Sequence, residues 1–363
     1  MKRLFCISDL HYGVHVNSVK WLDIILDWSD NWLMQYIKQN AGPDDILFIF
    51  GDIFENRQSI NVNIQKKAKD AINRLSAFIK IHILLGNHDV YYADSNHITS
   101  LNIFDDNPRI TIYDKPTFLN LCGIDVLVMP WDKDPNNIVK FIEPYIGKVN
   151  TMFGHMDIKE MTYDNTRPVM EGIDRKLLSS FELVVLGHIH WRQFANNILY
   201  LGSPYNTERS DIGNAKGLHV LSNDGTGKFK VEFVENTYSP VFKKIEMMEF
   251  LEMPLDRIRK ELANNFVDIT VSSHFIRKFT PTRVLDMLKE CDIKCNNIEF
   301  PPYTPREAKN IEDVKAVMGG MNMAEVSKRI LGSRGYSGAE VDASVSYFVQ
   351  LEKRLKEEKS LKA

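Results

Sequence analysis

The stretch Ile81-His82-Ile83-Leu84-Leu85-Gly86-Asn87-His88-Asp89 decides the fold of this sequence, because an apolar run passes through a glycine directly into polar side chains. The same order occurs three more times, in residues 46–50 before Gly51-Asp52, 152–153 before Gly154-His155, and 183–186 before Gly187-His188-Ile189-His190. Residues 4–7 repeat it with Ser8 in place of the glycine, before Asp9-Leu10-His11. Short apolar runs bounded by turn-forming residues predict strands that are buried on both faces. Two longer segments, 21–39 and 63–79, have the apolar spacing of helices that cover such strands.

A second group of apolar segments predicts another sheet that faces the first one. Its candidate strands are residues 110–113, 125–130, 198–201, 218–222 and 228–233. Helices combined with two facing sheets predict an α/β fold whose core is a two-sheet α/β sandwich. We assign residues 1–240 to this domain.

The pattern changes after the segment Thr237-Tyr238-Ser239-Pro240. Residues 241–300 contain strand-like segments at 241–247, 267–272 and 298–300 and helical segments at 255–264 and 281–291, which predicts a small α+β capping domain. Residues 301–308 form a Pro-rich linker, since proline continues neither a helix nor a β-ladder. The apolar spacing in residues 309–363 predicts a helical segment of two amphipathic helices. These helices must bury their apolar stripes either on the parent domain or on a partner. The stripes alone slightly favour packing on the parent domain.

The bulk composition excludes several classes of protein. Of 363 residues, 44% are hydrophobic and 26% are charged, as in globular proteins rather than disordered or membrane proteins. The net charge of −3 gives no general attraction to nucleic acid, so such binding must rely on local patches. No apolar run approaches the roughly 20 residues of a membrane-spanning helix. The cysteines lack the paired spacing of a zinc site and indicate reduced thiols in the cytoplasm: Cys6, Cys122, Cys291 and Cys295.

The polar clusters lie where the predicted strands end, and in open α/β sheets these ends gather in one crevice. Seven side chains in the clusters can bind metal ions: Asp9, His11, Asp52, Asn87, His155, His188 and His190. Seven ligands are too many for one ion with open positions, so we divide them into two sets that share Asp52. One set is Asp9, His11, Asp52 and His190, and the other is Asp52, Asn87, His155 and His188. Imidazole, carboxylate and amide groups without a thiolate favour manganese, with iron or zinc as alternatives.

Two such ions, roughly 3.5 to 4 Å apart, would polarise a phosphoryl group and activate water for its hydrolysis. His88 remains beside the site as a non-ligand that stabilises the transition state or acts as a general acid, and we expect Asp89 to orient it. Each cluster taken alone also fits strand-end capping or turn formation. We favour the metal site because all five clusters follow a buried-strand pattern.

The order of the five clusters resembles the calcineurin-like metallophosphoesterase superfamily over residues 1–210. Within it, residues 51–57, 113–116, 130–131 and 202–204 resemble the SbcD-type nucleases of DNA double-strand-break repair, including those of T-even phages. This resemblance implies a manganese-dependent DNA exonuclease and endonuclease with a capping domain that binds DNA. It also implies a homodimer and a coiled-coil ABC-type ATPase partner, which binds the C-terminal helices.

Contacts with the substrate are less well defined by the sequence. Glu55 stands where many cellular relatives carry a histidine, which leaves the balance between exonuclease and endonuclease action open. We select His15, Arg57 and His97 as candidate substrate-binding residues, because they lie in or near the motif loops. A surface arginine is also commonly just solvated.

Two other functions compete with the nuclease hypothesis. The first is a protein or small-molecule phosphoesterase of the same superfamily. Phosphoprotein phosphatases carry Asp-Arg-Gly after their Gly-Asp motif and Glu after Asn-His, whereas this chain has Ile53-Phe54-Glu55-Asn56-Arg57 and Asp89. A small-molecule enzyme would not need the residues beyond 240. The second is a scaffold that tethers an ATPase to DNA, which the complete set of predicted ligands argues against.

Overall fold

A computed structural model describes residues 2–92, 95–272, 281–290 and 295–299, which belong to one unit, Met1–Phe300. The linker predicted at 301–308 and the helical segment predicted at 309–363 lie outside the described residues. Within the described part, no helix is both long and apolar enough to cross a membrane.

The elements alternate along the chain much as the apolar pattern predicts. In chain order the strands are β1 (Arg3–Ile7), β2 (Ile46–Ile49), β3 (Lys80–Leu84), β4 (Val90–Tyr92), β5 (Ser95–Thr99), β6 (Ile110–Tyr113), β7 (Thr117–Leu121), β8 (Ile124–Met129), β9 (Thr151–His155), β10 (Leu183–Gly187), β11 (Gln193–Ala195), β12 (Ile198–Tyr200), β13 (Gly217–Asn223), β14 (Phe229–Glu235), β15 (Phe242–Glu246), β16 (Phe266–Thr270) and β17 (Cys295–Glu299). The helices are α1 (Val14–Asn17), α2 (Val19–Trp28), α3 (Met34–Asn40), α4 (Val62–Ser76), α5 (Pro135–Ile142), α6 (Met247–Glu252), α7 (Leu255–Leu262) and α8 (Pro281–Glu290). A π-helical turn, Ser29–Leu33, joins α2 to α3, and short 3₁₀ helices lie at Ser100–Phe104, Glu143–Tyr145, Arg175–Ser180 and Arg209–Asp211.

Two six-stranded sheets form the core of the fold, which confirms the predicted α/β sandwich. The first sheet has the order β14-β13-β1-β2-β3-β6, and the second has the order β11-β12-β10-β9-β8-β7. In the first sheet β1, β2, β3 and β6 are parallel, and in the second β8, β9, β10 and β12 are parallel. Each sheet therefore gathers the carboxyl ends of its central strands at one edge.

The assignment of strands to sheets differs from the prediction. Residues 152–153 and 183–186 were expected beside β1 but belong to the second sheet, as β9 and β10. Residues 110–113, 218–222 and 228–233 were expected in the second sheet but belong to the first, as β6, β13 and β14. An apolar run reports that a strand is buried, whereas its partner is set by contacts between distant parts of the chain, so periodicity carries no information about the sheet.

Alternate residues of each strand enter different layers of the core. Leu4 and Cys6 of β1 pack between the sheets with residues such as Phe153 of β9. Phe5 and Ile7, on the other face of β1, pack against the outer helices. Full burial of such side chains stabilises the fold by about 1.5–3 kcal/mol each. Both faces of these strands are covered, which explains why their apolar runs are continuous. Cys6 and Cys122 are free thiols.

Helices close the outer face of each sheet. The stripe of α2 that includes Trp21, Leu22 and Ile25 is buried against the first sheet, and the Ser18 side chain caps its first turn. Ile138 and Ile142 of α5 cover the second sheet. The sandwich is thereby layered as helix, sheet, sheet and helix, and its loops at the strand ends are held by buried elements.

Residues 242–299 form a smaller layer with its own apolar core. Its three strands are parallel and have the order β15-β16-β17, with α7 and α8 in the connections between them. Arg209 donates to the buried carboxylate of Asp268, and Phe242 donates its amide to Asn206, so this layer is bonded to the segment that follows the last histidine cluster. The division into domains at residue 240 stays a prediction.

Candidate metal centre

The five predicted clusters meet at one place, although they come from two sheets. The loops after β1, β2 and β3 approach from the first sheet, and the ends of β9 and β10 approach from the second. Ligand atoms lie within 4.8 Å of one another in three groups: Asp9, His11 and His190; His11, Asp52 and His88; and Asp52, His155 and His188. Asn87 joins the third group through its contacts with both histidines. The structure thus brings all seven predicted ligands together; their binding of metal ions stays a prediction.

Hydrogen bonds fix which nitrogen of each imidazole faces the centre. Nδ1 of His155 donates to the carbonyl of Phe50 at 2.7 Å, and Nε2 of His188 donates to a carboxylate oxygen of Asp157 at 3.0 Å. The remaining nitrogens of these rings, Nε2 of His155 and Nδ1 of His188, lie 2.9 and 2.7 Å from Oδ1 of Asn87. In the neutral rings these two nitrogens are hydrogen-bond acceptors, and both face the amide oxygen of Asn87, which is also an acceptor. A proton or a metal cation between them would satisfy all three acceptors.

The other ligand set has the same property. Nε2 of His11 and Nε2 of His190 are 2.8 Å apart, and Oδ2 of Asp52 lies 3.7 Å from Nε2 of His11. Nδ1 of His11 faces Glu55 at 2.8 Å, which again leaves Nε2 as the nitrogen for a cation. Donors bound at about 2.1 Å to one ion are on the order of 3 Å from their neighbours. The observed separations fit such coordination.

Burial makes the charges of this centre interdependent. Burial would raise the pKa of Asp52, but the imidazoles of His155 and His11 hold it well below its usual range. Burial would lower the pKa of His155, yet the Asp52 carboxylate raises it to about 9, and His11 is raised to about 9 against burial by Glu55 and Asp52. For His190, burial and the neighbouring His11 keep the pKa well below its ordinary value. Protons therefore occupy part of this cluster when no cation is bound.

Four candidate ligands have left-handed backbone conformations that are uncommon for residues other than glycine. Their φ angles are 57° for Asp9, 46° for His11, 54° for Asp52 and 92° for His188. Such conformations cost about 1–3 kcal/mol each and persist where the surroundings enforce them, typically at functional sites. Here the Asp9 carboxylate accepts the amide of His188 at 3.1 Å, so the ligand loops hold one another in place.

Asp89 does not have the role that the sequence suggested. Its buried carboxylate accepts the backbone amides of Asp52 at 2.8 Å, Ile53 at 3.0 Å and Gly86 at 3.0 Å. It thus clamps two ligand loops together rather than orienting His88. Nδ1 of His88 instead lies 2.5 Å from the carbonyl oxygen of Glu55, while its amide donates to the Asp52 carboxylate. An aspartate after Asn-His in the sequence predicts a carboxylate close to the candidate metal centre, but it does not predict which hydrogen-bond donors that carboxylate accepts from.

Sequence reasoning missed two groups at this site. Asp157, which contacts His188, was not selected, although it follows His155 by the same two-residue spacing as His11 follows Asp9. Trp131 stacks on the ring of His188 with centroids 5.3 Å apart. That spacing was an available signal for Asp157. For Trp131 the available signal was its place in the 130–131 segment, although its stacking on His188 depends on the approach of two separate strands.

The three candidate substrate contacts lie outside the ligand cluster. His15 is exposed, its Nε2 is 2.8 Å from the carbonyl of Thr207, and its ring packs on Trp21. Arg57 is half-buried in the loop after Asp52, and His97 is exposed on β5. Substrate binding by these residues stays a prediction.

Comparison with known proteins agrees with the geometry. Residues 2–218 match the model of the calcineurin-like phosphoesterase family. The chain belongs to the calcineurin-like phosphoesterase family. The family match confirms the resemblance stated from the five clusters.

Two curated proteins resemble this calcineurin-like phosphoesterase along most of their lengths. Exonuclease subunit 1 of Enterobacteria phage T4 is 24% identical over 274 residues, which cover 72% of this chain and 78% of the phage protein. Putative phosphoesterase 244L of Invertebrate iridescent virus 6 is 25% identical over 211 residues, or 55% of this chain and 69% of the viral protein. The phage T4 relative bears out the resemblance to the T-even phage nucleases.

Among solved structures, the cold-active protein-tyrosine phosphatase of a psychrophilic Shewanella species matches with a TM-score of 0.28 and 15% identity. The match covers 64% of this chain and 78% of the phosphatase.

Proposed function

We propose that this calcineurin-like phosphoesterase is a DNA nuclease, with both exonuclease and endonuclease activity, that uses two divalent metal ions, preferably manganese. The observation that carries the two-ion centre is the set of acceptor atoms that face one another around Asn87 and between His11 and His190. Similarity to exonuclease subunit 1 of phage T4 supports nuclease activity, and the resemblance of this sequence to the SbcD-type nucleases favours DNA as the substrate.

The residues of the site divide the work of hydrolysis. Asp9, His11, Asp52 and His190 would hold one ion, and Asp52, Asn87, His155 and His188 would hold the other. When bound, such ions polarise the phosphoryl group and stabilise the charges that develop on attacking and leaving oxygens. His88 donates through Nδ1 to the Glu55 carbonyl, so a ring protonated on both nitrogens can deliver its Nε2 proton to the leaving oxygen and return to the neutral form. Asp89 keeps the two ligand loops at a constant separation.

The decisive experiment compares the wild type with His88→Asn. Both are assayed with Mn²⁺ on end-labelled linear duplex DNA, on single-stranded DNA and on a chromogenic phosphodiester, and Mn²⁺ binding is measured on the same preparations. We expect the substitution to lower the DNA cleavage rate by about 10²–10⁴-fold while two ions remain bound. Equal DNA cleavage by both proteins would refute the role of His88. Hydrolysis of the small substrate without any DNA cleavage would favour a phosphoesterase of another specificity.

We further propose that the chain works as a homodimer and as one subunit of a DNA-end-processing complex, with a coiled-coil ATPase bound to residues 309–363. The name of the phage T4 relative, a subunit of an exonuclease, supports a partner. A pure DNA-tethering scaffold would bind the same partners and DNA, but it would cleave no DNA in the manganese assay.

A further inference from the structure

Each of the two ligand sets contains one histidine whose outer nitrogen contacts an acidic side chain that is not itself among the ligands. Asp157 accepts from Nε2 of His188 at 3.0 Å, and a carboxylate oxygen of Glu55 lies 2.8 Å from Nδ1 of His11. We infer that Asp157 and Glu55 are positioning residues, and that each sets the affinity of one metal position independently of the other. This inference rests on the two-ion centre of the proposed function.

Asp157 is built to hold a fixed orientation. Its Oδ1 accepts the hydroxyl of Tyr163 at 2.8 Å, which leaves Oδ2 for His188, and its backbone carbonyl accepts the amide of Ile173 at 2.9 Å. Trp131 packs on the face of the His188 ring, so that ring is restrained both in its plane and at its edge. The bond to Asp157 places the proton on Nε2 and directs the lone pair of Nδ1 toward Asn87. Loss of this carboxylate would free the ring to rotate and to change tautomer.

Glu55 has the equivalent role in the other set and adds a second contact. Its amide donates to the carbonyl of Tyr12 at 3.1 Å, and its own carbonyl meets Nδ1 of His88. The backbone of Glu55, which lies in the loop after Asp52, is therefore bonded both to the loop that carries His11 and to the loop that carries Asn87. Its side chain is 38% exposed, so solvent screens its charge more than that of Asp157, whose side chain is 23% exposed. We expect the smaller effect on affinity from Glu55.

The two acidic residues act on separate ions because their histidines belong to different sets. His188 belongs with Asn87 and His155, whereas His11 belongs with Asp9 and His190, and Asp52 is common to both. A substitution at Asp157 should therefore lower the binding affinity of one ion and leave the other tightly bound. Substitution of both Asp157 and Glu55 should lower the binding affinity of both ions.

The test measures Mn²⁺ binding, not cleavage. Isothermal titration and the electron paramagnetic resonance spectrum of the bound ions are recorded for the wild type, Asp157→Ala, Glu55→Ala and the double variant. We expect each single substitution to lower the affinity of one ion by about 10–100-fold and to replace the coupled dimanganese spectrum by that of a single ion at limiting Mn²⁺. The double variant should retain no tightly bound ion.

Two further variants separate positioning from general effects. Asp157→Asn keeps the volume and an acceptor oxygen for His188, so its affinity should fall between those of the wild type and the alanine variant; it also serves if Asp157→Ala does not fold. Glu160→Gln removes a nearby charge from a side chain that is 74% exposed and pairs with Arg175, and it should bind both ions normally.

The outcomes distinguish this inference from the proposed function. One tight ion surviving in the double variant, or wild-type binding in Asp157→Ala, would overturn the inference while the two-ion centre stands. A wild type that binds fewer than two ions would overturn both.

Discussion

Substitution of Gly86 by alanine tests whether the metal centre depends on the closeness of two ligand loops. A Cβ atom on Gly86 would lie 2.2 Å from Oδ1 of Asp52 and 2.5 Å from its backbone nitrogen. Ordinary contact begins at 3.4 Å, so the Asp52 carboxylate must move by about 1.2 Å and the Asp52 backbone by about 0.9 Å. Metal sites tolerate displacements of roughly 0.2 Å. Because Asp52 belongs to both predicted ligand sets, the substitution should lower the binding affinity of both ions.

The contacts that the new methyl group would disturb set the expected losses in stability and in Mn²⁺ affinity. Forcing an extra methyl into a close-packed site costs about 1–3 kcal/mol, and we expect this loss in the free energy of unfolding of the metal-free protein. The affinity for Mn²⁺ should fall at least as far as the roughly 10–100-fold that loss of an outer hydrogen-bond partner causes. Gly42→Ala is the matched control, because its nearest neighbour would be 3.7 Å away and its backbone is not left-handed.

Denaturant unfolding with and without Mn²⁺, combined with calorimetric titration, measures both effects. In the wild type, saturating Mn²⁺ should shift the unfolding midpoint upward, and in Gly86→Ala this shift should largely disappear. Two-ion binding of wild-type affinity in Gly86→Ala would refute the reasoning, because it would mean that the Asp52 carboxylate can move without loss of coordination.

Three other predictions follow from particular residues. The pKa values of His11 and His155 are about 9 without metal, so Mn²⁺ must displace protons when it binds. The apparent affinity for Mn²⁺ should therefore rise up to about pH 9, and titrations in buffers of different ionisation enthalpy should detect the released protons. An affinity that stays constant from pH 6.5 to 9 would contradict this. Neither ring nitrogen of buried His219 has a hydrogen-bond partner in the described structure, so His219→Leu should raise the free energy of unfolding at neutral pH by about 1–3 kcal/mol. Burial lowers its pKa from 6.5 to about 3; the wild type therefore loses stability as pH falls through that range, and the variant should lose less in pH-dependent denaturant melts. Truncation at Pro305 should abolish co-purification with the proposed ATPase partner but leave Mn²⁺ binding unchanged. Retained co-purification would refute the assignment of residues 309–363 to partner binding.

The local pattern of the chain was enough to predict the candidate ligands and the layers of the fold. Buried strands covered on both faces must be apolar throughout, and residues that bind metal at strand ends must interrupt that pattern abruptly. Glycines such as Gly86 mark where two loops approach too closely for a Cβ atom. These requirements act within a few residues, so they are visible in the sequence as the five clusters.

Other features depend on contacts between residues far apart in the chain. Periodicity shows that β6 and β9 are buried, but it does not show that β6 pairs with β3 or that β9 belongs to the second sheet. The donors that meet Asp89, and the acidic partners of His188 and His11, likewise depend on separations of a few tenths of an ångström between loops. A hydrogen bond is made or lost over such distances, whereas burial is not. The convergence of the candidate ligands could therefore be predicted from the sequence, while the atoms that orient them required the folded chain.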